Sequence, residues 1–264
     1  MVTVTIQGEP KQVAQGTSYE TIAAEYQPQY NGEIALVTVN GKIRELFKKV
    51  TKDCRVEFFT LRDSVGHKTY VRTATMLLLK AVYDVFGAEA AQRSVVEFSI
   101  GHGYYVHTFD AVGATEENAL KLKARMAELV EQKVPFMKRS YPIEDAMELF
   151  EAHGMLDKQK LFRYRMSSTV NIYEVGGYYD YYYGYMLPNA GYVKWYDLIP
   201  YAEGFMLLLP TAKNPTRVEP FDERRKLFET LEASQEWGRK ANIETVGDLN
   251  DQICSGSMSE LILV

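Results

Sequence analysis

Residues 1–61 carry two hairpin patterns on either side of one short helical pattern, and this pairing constrains the fold more tightly than any other stretch of the 264-residue chain. Val2, Val4 and Ile6 alternate with Thr3 and Thr5, the period of a strand with one buried face. Gly8-Glu9-Pro10 turns the chain, and Lys11-Gln12-Val13-Ala14 begins a returning strand. Thr17 or Ser18 can cap a helix over residues 19–26, whose Tyr19, Ile22, Ala23 and Tyr26 recur at three and four residues and so share one face. The apolar run Ile34-Ala35-Leu36-Val37-Thr38-Val39 ends at Asn40-Gly41, a dipeptide whose ease with positive φ suits a two-residue hairpin. Val56 to Leu61 supplies a closing strand. The first unit is therefore α+β.

The remainder keeps that mixed character. Residues 62–70, with Asp63, Ser64, Gly66 and His67, read as a linker, and a helix is expected over 73–86 with Gly87 as its stop. Strands are expected at 95–100 and 104–109 around Gly101-His102-Gly103. Thr115 caps a charged helix to about residue 133, and Pro142 opens another whose face is Ile143, Ala146, Met147 and Phe150. Four strands follow at 168–175, 178–187, 191–198 and 205–209, the last extended by Arg217-Val218. Residues 223–241 and 246–253 read as helices, and Ser257, Ser259 and Glu260 as the start of one more, after which four apolar residues suggest the front part of a longer protein. The net charge of −5 argues against capture of nucleic acid by the whole surface and leaves local basic patches as the only route. Cys54 and Cys254 form no metal-type pair, and neither a signal peptide nor a run of about 20 apolar residues is present, so a cytoplasmic protein with reduced thiols and no membrane partner is expected.

The two hairpins and helix make a β-grasp pattern. With Gly16-Thr17-Ser18-Tyr19, Val39-Asn40-Gly41-Lys42 and Leu46, residues 1–61 resemble a TGS domain, the module shared by threonyl-tRNA synthetases, stringent-response enzymes and some GTPases. Residues 62–222 resemble the second, editing-type domain of threonyl-tRNA synthetase, a module of the threonyl/alanyl-tRNA synthetase kind. The resemblance rests on Ile100-Gly101-His102-Gly103-Tyr104-Tyr105, on the helix at 144–154, and on the stretch from Asp180 to Asn189. Residues 223–264 then form a helical segment. The order of parts is similar to the N-terminal half of bacterial nucleoside kinases of the uridine kinase type. That resemblance implies a following kinase domain, with ATP and Mg²⁺ as its cofactors and none in this chain.

The editing domain holds a metal with two histidines one helical turn apart, then a cysteine and a histidine four residues apart. Carried over position by position, these fall on Met76, Lys80, Tyr182 and Met186. Two thioethers, an ammonium and a phenol cannot form a hard or borderline metal site, so editing hydrolysis is not expected here. No phosphate loop of the Gly-x-x-x-x-Gly-Lys-Ser/Thr type occurs, and Gly66-His67-Lys68-Thr69 reads as an interdomain turn. His102 and His107 lie on opposite arms of one hairpin without a completing carboxylate or thiol, and read as turn and strand-surface residues. Lys80, His102, Tyr105, Asp180 and Tyr182 are the candidate ligand cleft, in which a Lys80–Asp180 ion pair would replace the lost metal.

Eleven of the nineteen tyrosines lie between Tyr164 and Tyr201. In one account Tyr178, Tyr181, Tyr183 and Tyr185 stack bases while Lys158, Lys160, Arg163 and Arg165 follow phosphates. In the other the rings pack between sheet and helices, as strand-favouring residues do. Lys42, Arg44, Lys48, Lys49 and Lys52 form a second basic cluster, a candidate RNA or anion site for which a solvated charged face is the plainer reading.

The chain thus reads as an α+β protein without a complete catalytic site. The resemblances imply a regulatory or substrate-recruiting region of a nucleoside kinase first. The alternative is an RNA- or tRNA-binding module derived from an editing domain, and a small-molecule cleft is a third, weaker reading. The partners left open are the chain's own kinase half, RNA or a nucleotide, and a second copy of the chain.

Overall fold

The computed structural model describes residues 1–257, so the helix start expected at Ser259 and Glu260 lies outside the described residues. The fold is mixed α+β, with one mixed and two antiparallel sheets. The N-terminal lobe is a five-stranded sheet in the order β2-β1-β5-β3-β4, built from β1 (Val2–Ile6), β2 (Glu9–Val13), β3 (Ile34–Val39), β4 (Lys42–Glu45) and β5 (Cys54–Thr60). Strands β1 and β5 pair in parallel at its centre, and the other neighbours are antiparallel. Helix α1 (Tyr19–Tyr26) buries Tyr19, Ile22 and Ala23 against Val4, Ile6, Val37 and Val56. Ser18 is its cap, accepting the Thr21 N–H at 3.1 Å. Asn40 and Gly41 both take positive φ, 51° and 78°, as the β3–β4 turn requires.

The expected linker is absent. Residues 64–70 are the first turns of α2 (Ser64–Phe86), a 23-residue helix whose cap residue, Asp63, accepts from the backbone and hydroxyl of Thr60 at 2.7 and 3.0 Å. Gly66 suggested a chain break, yet it sits inside the helix because a Cβ there would lie 2.0 Å from the Thr60 carbonyl oxygen. Helix and sheet edge approach too closely for any side chain. The middle of α2 is buried on nearly every side, from Ala74 to Val82, and it joins Ala35 and Leu61 of the N-terminal lobe to the larger core.

Around α2 stand two sheets. One has the order β11-β12-β7-β6, from β6 (Val95–Ile100), β7 (Gly103–His107), β11 (Asp197–Tyr201) and β12 (Gly204–Leu208). The other has the order β10-β9-β8, from β8 (Phe136–Pro142), β9 (Thr169–Val175) and β10 (Tyr178–Asp180). Helices α3 (Ala88–Gln92), α4 (Glu116–Glu131), α5 (Ile143–Ala152) and α6 (Leu156–Arg163) connect these strands. Helix α7 (Arg225–Lys240) lays Phe228 on the four-stranded sheet, and α8 (Val246–Ser255) packs on α6.

The expected strand at 178–187 stops at Asp180, and that at 191–198 is a 3₁₀ turn (Ala190–Tyr192) before β11. The reason lies on α2. Arg72 donates to the Tyr185 carbonyl at 3.1 Å and Thr73 accepts the Leu187 N–H at 3.0 Å, so helix side chains supply the partners that a neighbouring strand would give. The segment is laid along α2 instead of pairing in a sheet. Arg217-Val218 forms no strand, and β8 and α6 were not anticipated.

Candidate functional site

The four positions that the resemblance aligns with metal ligands lie on α2 and on the segment laid along it. Met76 and Lys80 lie one turn apart on α2, and the segment bearing Tyr182 and Met186 runs alongside, with Met186 Sδ accepting from Thr73 Oγ1 at 3.6 Å. Met76 and Met186 are buried in the main core. Among the described residues no group of three or more His, Cys, Asp or Glu could hold a metal ion.

Lys80 and Asp180 do not form the anticipated ion pair. Lys80 donates at 2.6 Å to both Asp84, one helical turn on, and the Gly176 carbonyl. Asp180 instead faces Lys158 at 3.7 Å and accepts the Tyr181 N–H at 2.7 Å. An (i, i+4) carboxylate was the nearer partner for Lys80, and α6, unseen in the sequence, brought Lys158 to Asp180. The candidate cleft also divides. Tyr105 sits under α7, 5.0 Å from the Phe228 ring, and His102 bonds the Glu219 carbonyl at 2.8 Å. Only Asp180 and Tyr182 of the five line the cavity described next.

That cavity, roughly 720 Å³, is bounded by Lys158, Asp180 and the rings of Tyr83, Tyr178, Tyr181 and Tyr182, with Glu244 and Thr245 closing one side. Burial pushes the Asp180 carboxyl above the ordinary aspartate range, against the pull of Lys158. Burial drives the Tyr178 and Tyr182 phenols well above theirs, with the Asp180 charge adding to it, so both remain protonated donors. Burial alone would lower Lys158, but Asp180 and Asp157 outweigh it and the ammonium is retained. The cleft therefore offers donors, one carboxylate, one cation and aromatic faces. It offers no phenol or amine activated for attack.

Most of the tyrosine run packs. Tyr173 is fully buried, and Tyr178 nearly so, while Tyr181 is held by Arg165 at 2.7 Å; only Tyr183 stands out at 85 % exposure. The cations proposed to accompany these rings are occupied. Lys158 pairs with Asp157, Lys160 with Asp248 and Arg163 with Asp251. His107 corrects another expectation. It is buried, stacked on Phe109 at 3.9 Å, 3.3 Å from Glu97, and both it and Glu97 meet Arg239 of α7.

The basic cluster is divided by the fold. Lys48 and Lys49 line one groove, and Lys42, Arg44 and Lys52 do not line it. They face Lys133, from the turn after α4, and Lys138 and Arg139 of β8 across a groove of roughly 660 Å³ at the seam between the N-terminal lobe and the three-stranded sheet. Arg139 is not legible as a partner of this groove because it lies on β8, which carries no clear strand pattern, and Lys133 because it reads as the end of the charged helix. The only available sign was the basic stretch Lys133 to Arg139 itself.

No family model matches the chain. It is similar to the threonine–tRNA ligase of Porphyromonas gingivalis, 24% identical over 223 residues, which cover 81% of this chain and 33% of that protein. It is also similar to the threonine–tRNA ligase of Clostridium kluyveri, 25% identical over 199 residues, covering 75% of this chain and 31% of the ligase. The ligase of the same name from Thermotoga maritima is 28% identical over 163 residues, 61% of this chain and 25% of its own length. The chain thus spans a quarter to a third of the length of these relatives and is threonyl-tRNA synthetase-like. These similarities favour the RNA-binding expectation, and none of them supports a uridine kinase parent.

Proposed function

We propose that this threonyl-tRNA synthetase-like chain is an RNA-binding module for tRNA or tRNA-like molecules, built on an editing-type domain that no longer hydrolyses. In this reading residues 1–61 are a TGS-like lobe, 62–222 the editing-like body, and 223–264 a helical segment. The order β2-β1-β5-β3-β4 with a parallel central pair supports the first assignment, since two hairpins around one helix give that arrangement. The relatives, as their name states, are ligases of threonine to tRNA, which supports tRNA as the ligand class.

The observation that carries the proposal is the cleft at Asp180. It keeps a Lys158–Asp180 pair among four tyrosines, a surface suited to a base edge and a ribose, beside positions whose thioethers, amine and phenol offer no metal-held water. Binding without turnover follows from that inventory. The test is equilibrium binding of fluorescent bulk tRNA to the full chain at low and moderate salt, together with a deacylation assay on mischarged threonine-specific tRNA with and without added zinc. We expect binding that weakens with salt and no deacylation above the uncatalysed rate. Absence of binding at low salt removes the proposal, as does zinc-dependent deacylation.

A further inference from the structure

The groove at the seam carries a second inference, which rests on the RNA-binding reading and names the surface that would hold the nucleic-acid backbone. Among the described residues Lys48, Lys49, Lys133 and Arg139 have no carboxylate within 4.0 Å. Lys42, Arg44 and Lys52 are likewise without a carboxylate partner, and what sets these four apart is that they line one groove. Lys138, the fifth cation of the groove, is held 2.7 Å from the buried Glu45 and is not free for a ligand. The one acid lining the groove, Glu20, has Asn189 and Tyr192 donating to it at 3.0 and 3.2 Å. A chain of net charge −5 thus gathers four uncommitted cations around one hydrogen-bonded carboxylate.

We propose that this groove binds the phosphodiester backbone of RNA, with Lys48, Lys49, Lys133 and Arg139 as the phosphate-contacting residues. The four cations come from three separate segments: the loop after β4, the turn after α4, and β8. Such a spread suits an extended polyanion better than a single small anion, which is held by converging donors. The ligand would touch both sides of the seam at once, because Lys48 and Lys49 belong to the N-terminal lobe and Lys133 and Arg139 to the larger body. The exposed Lys49, Lys133 and Arg139 can reach phosphates without the large desolvation cost of a buried ion pair.

The test compares the wild type with the quadruple variant Lys48→Gln, Lys49→Gln, Lys133→Gln and Arg139→Gln. A control carries Lys42→Gln, Arg44→Gln and Lys52→Gln. Both variants are checked for an unchanged melting temperature, and binding of fluorescent tRNA is titrated across a salt series. Loss of four phosphate contacts should weaken binding at least tenfold and flatten the log Kd against log salt slope by about 3. The control should change affinity less than threefold. Wild-type affinity and slope in the quadruple variant overturn the groove while leaving RNA binding intact elsewhere. Absence of RNA binding by the wild type overturns the reading beneath it and this inference with it. Full displacement of tRNA by millimolar inorganic phosphate overturns the polyanion assignment in favour of a small-anion site.

Discussion

Glu45, at the end of β4, is 2 % exposed and meets Lys138 of β8 at 2.7 Å across the seam between the N-terminal lobe and the larger body. The Tyr173 hydroxyl lies 2.9 Å from the same carboxylate oxygen and 2.7 Å from the Gly184 carbonyl. Burial and the nearby Glu45 charge drive the Tyr173 phenol far above its ordinary range, so it stays a donor. A buried carboxylate at a seam is tolerated only because the opposite side supplies a cation and a hydroxyl.

Lys138→Met should therefore be strongly destabilising, by about 3–5 kcal/mol, because it leaves Glu45 buried without its counter-charge. The double variant Lys138→Met with Glu45→Gln should regain most of that loss. Urea unfolding of the wild type, the two single variants and the double variant gives the coupling directly. A single Lys138→Met variant within about 0.5 kcal/mol of the wild type would mean that water reaches Glu45.

Gly66 makes a sharper geometric demand. A Cβ at this position would lie 2.0 Å from the Thr60 carbonyl oxygen and 2.8 Å from its carbon, both backbone atoms of the preceding strand end. Gly66→Ala should lower stability by about 3 kcal/mol or more, since neither element can yield without breaking the Thr60–Asp63 hydrogen bonds that join them. Gly113→Ala, where the nearest atom would be 3.8 Å away, is the matched control and should melt with the wild type. Equal melting of both variants would disprove the close approach.

Gly66 also illustrates what the sequence could reveal and what it could not. The strands and helix of residues 1–61 were legible because their periods, 2.0 and 3.6, came with unambiguous turn residues such as Asn40-Gly41. The start of α2 was not, because a glycine demanded by a tertiary contact reads locally as a break. The stretch from Tyr181 to Leu187 has strand-like composition, yet its backbone is satisfied by Arg72 and Thr73, more than a hundred residues earlier. Of the candidate residues, Asp180 and Tyr182 line one cavity and Lys48 and Lys49 another, but Asp180 meets Lys158 and not Lys80. Lys158 and Arg139 sit on elements with weak patterns in the sequence, so no spacing rule could join Lys158 to Asp180 or Arg139 to the groove.

The positions that the resemblance aligns with metal ligands yield a further prediction. Met76, Lys80, Tyr182 and Met186 lack donors for zinc, but the α2 turn and the segment beside it are still packed together. Replacing them by Met76→His, Lys80→His, Tyr182→Cys and Met186→His should give a chain that retains about one zinc per molecule after desalting, with tetrahedral N/S ligation readable by cobalt substitution. Removal of Lys80 does not strand Asp84, which keeps Arg125 at 2.9 Å. The wild type treated in the same way should retain less than a tenth of that zinc. Failure of the variant to bind metal while folded would show that the four positions do not converge.

Asp180 allows the sign of a pH effect to be worked out. Burial raises its folded-state pKa above the ordinary value of 3.8, and Lys158 only partly offsets this. A carboxyl with a raised folded pKa takes up a proton on folding, so its contribution is most favourable below 3.8 and is lost as pH rises through the folded value. Asp180→Asn removes that titration while Lys158 keeps Asp157 at 2.7 Å. The melting temperature of the variant relative to the wild type should therefore climb as pH increases from about 4 toward neutrality, and level off once Asp180 is fully ionised. Parallel melting curves over that interval, or a difference of the opposite slope, would show that the Lys158 charge outweighs burial and that the cleft holds its carboxylate as a stabilised anion.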